Sequence, residues 1–290
     1  MSKHVFLTVG ANELPVLAAC EVLYELGHRR FSFIASRETS DEAERIQKVL
    51  VRRRAGIDFA PVEPLPSPFD FAQIRKAVIT AFDSTPELLH VHYTGGTMPM
   101  SVVAAQEGQR RNADLSYLDK DQHKLRVNDR AVGGDCRNVW REPDIQDLAE
   151  LHGLDVKAAA PDSPLASELK TLLGRRSKRN WRVYGEVSVA GRRWFDAIVL
   201  LGYQMIAFSY ENSSKRGDVK RRAFQTMHAT RRLGGDAARS ILIAPQFTDR
   251  DNLQGDIDYD TGVSMAVRYW PGTGVRYNLS FPLVLGELGW

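Results

Sequence analysis

Apolar and polar residues alternate in two rhythms over the first 120 positions. His4–Gly10, Arg30–Ser36 and Leu88–Tyr93 are short, nearly continuous apolar runs, the mark of strands buried on both faces. Between them the apolar spacing lengthens to three or four residues. Pro15–Leu26 puts Val16, Leu17, Cys20, Leu23 and Tyr24 on one helical face and ends at Gly27. Ser40–Arg54 is a charged amphipathic helix opened by Thr39-Ser40-Asp41-Glu42, and Phe71–Phe82 is another. Ile57–Val62 is a short strand in which Pro61, lacking an N–H, marks an edge or an early stop. A fourth helix runs from Met98 to about Arg111, with Pro99 in the first turn, where its missing N–H costs nothing. Ala113–Asp119 is a further strand, and Lys124–Val127 is placed to pair back onto it. This alternation predicts an α/β fold built on a doubly wound parallel sheet.

The pattern then changes. Asp144–His152 reads as a bridging helix, and Val156–Pro164 has linker composition, which divides the chain into 1–155 and 164–290. A helix over Pro164–Leu173 precedes strands at Trp181–Val189, Trp194–Leu201 and Gln204–Tyr210. A long helix near Gly217–Leu233 and a strand at Ser240–Ala244 follow, an α+β order unlike the first half. In the last 45 residues, Trp270, Tyr277, Phe281 and Trp290 are expected to close the second core. Asp256, Asp258 and Asp260 read as a solvated loop or a cation site.

In a doubly wound sheet, ligands bind beyond the carboxyl ends of the strands. Gly10-Ala11-Asn12-Glu13, Ser36-Arg37-Glu38-Thr39 and Thr94-Gly95-Gly96-Thr97 all fall there. The paired glycines let the backbone approach a ligand closely, and the helix behind them offers open N–H groups and the positive end of its dipole. Together these suit an anion, above all a phosphate. The same glycines also serve a plain β–α turn. The G-x-G-x-x-G and G-x-x-x-x-G-K-[ST] fingerprints are missing, which disfavours common dinucleotide and nucleoside-triphosphate sites. His90 and His92 share one face of their strand and are expected to be hydrogen-bonded core or interface residues rather than acid–base groups.

Composition adds two points. Residues 165–239 carry 16 Lys/Arg against six acids, a formal +10 in a chain of net +3. That is the footprint of a nucleic-acid partner, or else of a solvated face or a contact with the acidic segment at 250–260. Only Cys20 and Cys136 occur, without metal-site spacing, and no apolar run has the ~18 residues of a membrane span. Neither is there a signal-peptide pattern, so a reducing cytoplasm is expected.

Val5-Phe-Leu-Thr-Val-Gly-Ala-Asn-Glu-Leu-Pro15, Ser36-Arg-Glu-Thr39 and His92-Tyr-Thr-Gly-Gly-Thr-Met-Pro-Met100 together resemble the CARF (CRISPR-associated Rossmann fold) domain. The likeness covers most of residues 1–125 and is nearest to the branch followed by a restriction-endonuclease-like domain. It implies a Rossmann-like N-terminal sheet, a cytoplasmic homodimer, and a two-fold site for a cyclic oligoadenylate, commonly cyclic tetra-adenylate. That ring is the second messenger of type III CRISPR antiviral defence. On this resemblance Gly10, Ala11 and Asn12 line the first loop, and Ser36 and Thr39 offer hydroxyls, unless they serve only as helix caps. Thr94, Gly95, Gly96 and Thr97 cradle phosphate, and Met98 packs on an adenine.

The C-terminal element order resembles the nuclease core of the same branch, but its chemistry departs. The family pattern puts an acid on one strand and Glu-x-Lys on the next, holding Mn2+ or Mg2+. Asp196 keeps the first carboxylate; Ser209 stands in place of the acid and Glu211 in place of the lysine, with Glu168 a weak helical candidate. Asp196 and Glu211 would share an ion only if the strand register slips. Lys215 or Arg216 would have to replace the lysine, and otherwise Asp196 pairs with Arg192 or Arg193. The favoured expectation is a messenger sensor with an incomplete nuclease site. The alternatives are a ligand-activated nuclease on single-stranded RNA or DNA, or a ring nuclease in which Thr97 or a nearby lysine assists cleavage of the messenger.

Overall fold

The computed structural model describes residues 3–119, 122, 124–134, 144–158, 163–176, 181–201, 204–213, 215–235, 238–245 and 266–270. Strands β1 (His4–Thr8), β2 (Arg30–Ile34), β3 (Asp58–Phe59), β4 (Leu89–His92) and β5 (Asp114–Asp119) form a parallel sheet in the order β3-β2-β1-β4-β5. Helices α1 (Glu13–Glu25), α2 (Ser40–Arg53), α3 (Phe71–Asp83) and α4 (Met98–Arg110) connect them. Antiparallel β6 (Lys124–Val127) and β7 (Arg130–Val132) extend one edge. β3 is only two residues long, as Pro61 foreshadows. The strand order reverses between β1 and β4, so the loops after these two strands flank the switch point where such sheets hold ligands.

Helix α5 (Ile145–Leu151) leads into a second sheet, ordered β13-β12-β11-β10-β9-β8. The expected linker is corrected at its start. Val156–Ala158 forms β8, pairing antiparallel with β9 (Trp181–Val189), because Val156 has a buried place in the core. After α6 (Pro164–Arg176) come β10 (Arg192–Leu201), β11 (Gln204–Tyr210), α7 (Arg216–Gly234), β12 (Arg239–Pro245) and β13 (Ala266–Trp270). β7 and β13 were not apparent from the pattern. Cys136, Arg179, Asp256, Asp258, Asp260, Tyr277, Phe281 and Trp290 lie outside the described residues.

Among the described residues, three apolar clusters hold the structure together. One joins Phe6, Ile74, Val78, Phe82 and Val103 between the first sheet and α3/α4. A second joins Leu165, Leu169 and Leu173 of α6 to Val199 and Phe208. The largest runs from Val5, Leu7 and α1/α2 through Ile145 and Leu148 of α5 to Phe195, Met205 and Leu233. The two sheets therefore share one continuous core, which opposes free hinging between them. Ion pairs reinforce the junction: Asp147 of α5, buried, pairs with Arg52 and Arg53 of α2, and Arg53 also reaches Glu21 at 3.0 Å.

His90 and His92 are buried, and both bond the Ser116 hydroxyl, at 2.7 and 3.0 Å. His90 Nδ1 and His92 Nε2 are buried with no partner among the described residues. A protonated ring would hold an N–H with no acceptor. Burial, and then nearby His28, push His90 down to about 3; burial, and then His90, push His92 down to about 3. Both values lie below the ~6.5 of an unfolded histidine, so the unfolded chain binds up to two more protons in between. Stability is thus complete above ~6.5 and falls as pH drops towards ~3, at up to ~2.7 kcal/mol per unit. Urea midpoints between pH 7 and 4.5 will decline in the parent chain and flatten in H90Q/H92Q; equal slopes would contradict this.

Candidate functional site

The turn after β4 is shaped by two close approaches. A Cβ on Gly95 would lie 2.0 Å from the Thr8 carbonyl oxygen and 2.8 Å from Val16 Cγ2. A Cβ on Gly10 would lie 2.9 Å from the Gly96 nitrogen, and Gly96 itself takes φ +75°. Only glycine lets the loops after β1 and β4 touch backbone to backbone. The Gly95 carbonyl is tied down by two hydroxyls, Thr8 and, at 2.9 Å, Ser101. That pins the turn by its oxygen.

Its N–H groups are left open. Among the described residues, the amides of Thr94, Gly95, Gly96 and Thr97 meet no acceptor. Thr97 occupies the N-cap position of α4 without a side-chain cap, and Asn12 does the same for α1. Two uncapped helix N-termini therefore face the switch point, each presenting unpaired donors and positive dipole potential. Asn12 is half-buried and Ala11 exposed, while Met98 is 79% exposed beside them.

Several expected ligand hydroxyls turn out to brace the rim. The Ser36 N–H donates to Thr39 Oγ1 at 3.1 Å, and the Thr39 hydroxyl reaches the Val9 carbonyl at 3.2 Å. Ser36 is buried. The pair fastens the loop after β2 to the end of β1, and its hydroxyls are not free of protein partners. It does not cap α2 either, since Thr39 makes no cap bond. Thr94 Oγ1 accepts from the Leu118 N–H at 2.6 Å, and the Thr97 hydroxyl donates to the Pro68 carbonyl. These two threonines contribute backbone to the rim, while their hydroxyls hold β5 and the 63–70 loop against it. Sequence reasoning missed Glu13, a buried carboxylate directly behind Asn12. Burial alone would raise its pKa; His152, at 3.4 Å, and Arg45, at 3.2 Å, outweigh that and hold it below the ordinary value.

The carboxylate of the second sheet has a different environment. The β10–β11 ladder runs from Leu201–Gln204 to Ala197–Phe208 without a bulge, so no register slip brings Asp196 and Glu211 together. Asp196 Oδ2 accepts the Tyr210 N–H at 2.7 Å and faces Arg222 Nη2 at 3.6 Å. Arg222 of α7 is thus one cationic neighbour of this carboxylate. Glu211 accepts from the Ser213 N–H at 2.9 Å, and Ser213 in turn donates to Asp218 at 2.8 Å, a local brace leading into α7. The Ser209 hydroxyl donates to the Trp194 carbonyl. Among the described residues no group of three His, Cys, Asp or Glu side chains converges to hold a metal. A divalent ion needs several oxygens, and the residues here do not fit one.

Solved structures share this architecture. Protein VC1899 from Vibrio cholerae aligns over 91% of this chain and 94% of its own, at TM-score 0.67 and 11% identity. Can2 from Sulfobacillus thermosulfidooxidans, solved with cyclic tetra-adenylate, aligns over 91% and 92%, at TM-score 0.67 and 10% identity. The chain shares the fold of these two proteins. A type III CRISPR defence DNA nuclease activated by cyclic oligoadenylate also aligns, at TM-score 0.65 and 16% identity, over 99% of this chain but 52% of that one. No family model and no curated relative matches the sequence. Among the described residues no helix is long and apolar enough to cross a membrane.

The Asp196–Arg222 contact makes a measurable claim. Both side chains are largely buried, so their charges are expected to be coupled in stability. A double-mutant cycle with D196N and R222M, read by urea unfolding, will give a coupling of about 1 kcal/mol. A coupling near zero would show that Arg222 does not neutralise the carboxylate.

Proposed function

We propose that the protein is a sensor of cyclic oligoadenylate, with cyclic tetra-adenylate as its ring, acting in type III CRISPR antiviral defence. The observation that carries this reading is the set of open amides at Thr94–Thr97, held against Gly10 at the switch point. The ring is a polyanion of alternating phosphates and bases. Backbone N–H groups and two helix N-termini receive its phosphates without a side-chain cation. Asn12 has both a donor and an acceptor for a base or ribose. Met98 supplies an apolar surface for an adenine. Can2, which shares the fold, is solved with this ring.

A two-fold ligand calls for an isologous site formed by two copies of the chain. The surface beside the rim suits that assembly. Phe69 and Phe71 at the start of α3 and Met98 and Val102 on α4 are all exposed, and Thr97 joins their two segments through Pro68. Burying them against a second copy would remove apolar area from water and complete the cavity. In this account residues 1–155 form the sensing domain and 164–290 the output domain.

The output is binding rather than metal-dependent cutting. Asp196 and Glu211 are engaged in separate contacts, so no step is assigned to Mn2+ or Mg2+. The excess of positive charge over 165–239 suits single-stranded nucleic acid, whose affinity would fall steeply with salt.

Native mass spectrometry with cyclic oligoadenylates tests the reading. Two chains and one cyclic tetra-adenylate are expected, and no complex with any ring would refute it. In calorimetry Gly10→Ala, which drives a methyl into the Gly96 amide, will weaken ring binding at least tenfold. Met98→Asp will shift the chain towards monomer in sedimentation and weaken the ring in parallel. Cleavage of labelled RNA or DNA with Mn2+, lost in Asp196→Ala, would overturn the assignment of the output domain.

A further inference from the structure

The outer edge of the first sheet is paired at both ends and open in the middle. Alternate residues of β2 turn their main-chain groups towards β3. The Ala60 N–H donates to the Phe31 carbonyl at 2.9 Å, and the Leu65 N–H donates to the Ala35 carbonyl at 2.8 Å. Between these bonds the 61–64 segment leaves the ladder. Among the described residues, the Phe33 N–H and carbonyl and the Ala35 N–H meet no partner. The sequence explains the gap. Pro61 and Pro64 have no N–H to offer, and the Ala60 carbonyl accepts the Ser32 hydroxyl at 2.7 Å instead of the Phe33 amide. Phe33 and Ala35 are both buried, and buried main-chain groups are nearly always paired. A cavity of about 260 Å³ lies here, between the 59–64 stretch and α2. Phe33, Phe59, Pro61 and Pro64 give it apolar walls, with the two phenyl rings 5.3 Å apart. Ala43, Glu44 and Gln47 of α2 line it as well, and among the described lining residues Glu44 alone is charged.

We infer that this cavity holds an adenine base, read by the open main-chain groups of Phe33. The size sets the first limit: it falls below the ~300–1,000 Å³ of sites for drug-sized ligands, so the occupant is a single planar ring system. The edge sets the second. Phe33 presents a donor and an acceptor side by side, and adenine answers with N7 as acceptor and its 6-amino group as donor. The walls set the third, since aromatic rings and prolines pack on the flat faces of a base. Charge then decides which part of the ligand enters. With a carboxylate and no cation among the described lining residues, the cavity takes the neutral base and leaves any phosphate outside. A peptide strand does not fit, because the Ala60 and Leu65 bonds occupy the edge on either side of the gap. The same base comes either as a free nucleoside or as one adenine of a cyclic oligoadenylate. Only in the second case does the inference rest on the sensor reading.

Calorimetry with adenosine on the full chain tests this, and one adenosine per chain is expected. Inosine has a carbonyl oxygen in place of the 6-amino group, which sets an acceptor against the Phe33 carbonyl. It is expected to bind at least tenfold more weakly. Ala43→Leu fills the cavity from α2 and will weaken adenosine at least tenfold, with urea unfolding as the check that the variant is folded. Gln47→Trp blocks the same cavity from an exposed position of α2, without a change in the core, and carries the same expectation. No binding of adenosine, equal binding of inosine, or undiminished binding in both variants overturns the inference. Cyclic tetra-adenylate then distinguishes the two sources. If it displaces adenosine and is itself weakened by Ala43→Leu, the cavity takes an adenine of the ring; if both ligands bind together, it takes a free nucleoside. Absence of ring binding in the parent chain refutes the sensor reading alone, and the comparison of adenosine with inosine still decides this one.

Discussion

The candidate site depends on the contact between two backbones where the sheet reverses its strand order. Gly10 and Gly96 meet with no room for a Cβ, and Gly95 passes so near the Thr8 carbonyl that a side chain there is impossible. These loops are pinned by carbonyls and hydroxyls, while their N–H groups meet no acceptor among the described residues. Donors that need no reorganisation on binding are the efficient way to receive an anion. Thr8, Ser36, Thr39, Thr94 and Thr97 are then understood together: their hydroxyls hold the frame.

The same packing joins the two sheets into one body. α5 is clamped to α2 by the buried Asp147 carboxylate and lies within the apolar cluster that continues into β10, β11 and α7. A flexible tether would let a ligand bind without consequence on the other side. A shared core makes position, not proximity, the quantity that passes between the halves. In the second sheet the Arg222 guanidinium lies 3.6 Å from the Asp196 carboxylate.

Much of this was legible in the sequence. The apolar runs at His4–Gly10 and Leu88–Tyr93, the spacing of Val16, Leu17, Cys20 and Leu23, and the Gly95-Gly96-Thr97 turn before Pro99 dictate the β–α alternation, since buried parallel strands and amphipathic helices leave strong local marks. The His90/His92 core role was legible for the same reason. What the sequence hid were long-range pairings. Nothing in Thr39 announces that its hydroxyl fastens Val9, and nothing in Glu13 announces His152, 139 positions on. Val156–Ala158 reads as linker because three residues carry too little periodicity to declare a strand. Arg222 was hidden because helical phase against a sheet is set by tertiary packing, not by the basic run that contains it.

The central claim is that the Gly95 and Gly96 amides bond phosphates of a cyclic oligoadenylate. Nitrogen-15 glycine labelling and titration with cyclic tetra-adenylate observe those amides directly. The account predicts downfield proton shifts for Gly95 and Gly96 that saturate at one ring per two chains, with Gly191 unmoved. Binding that leaves both resonances in place would contradict it.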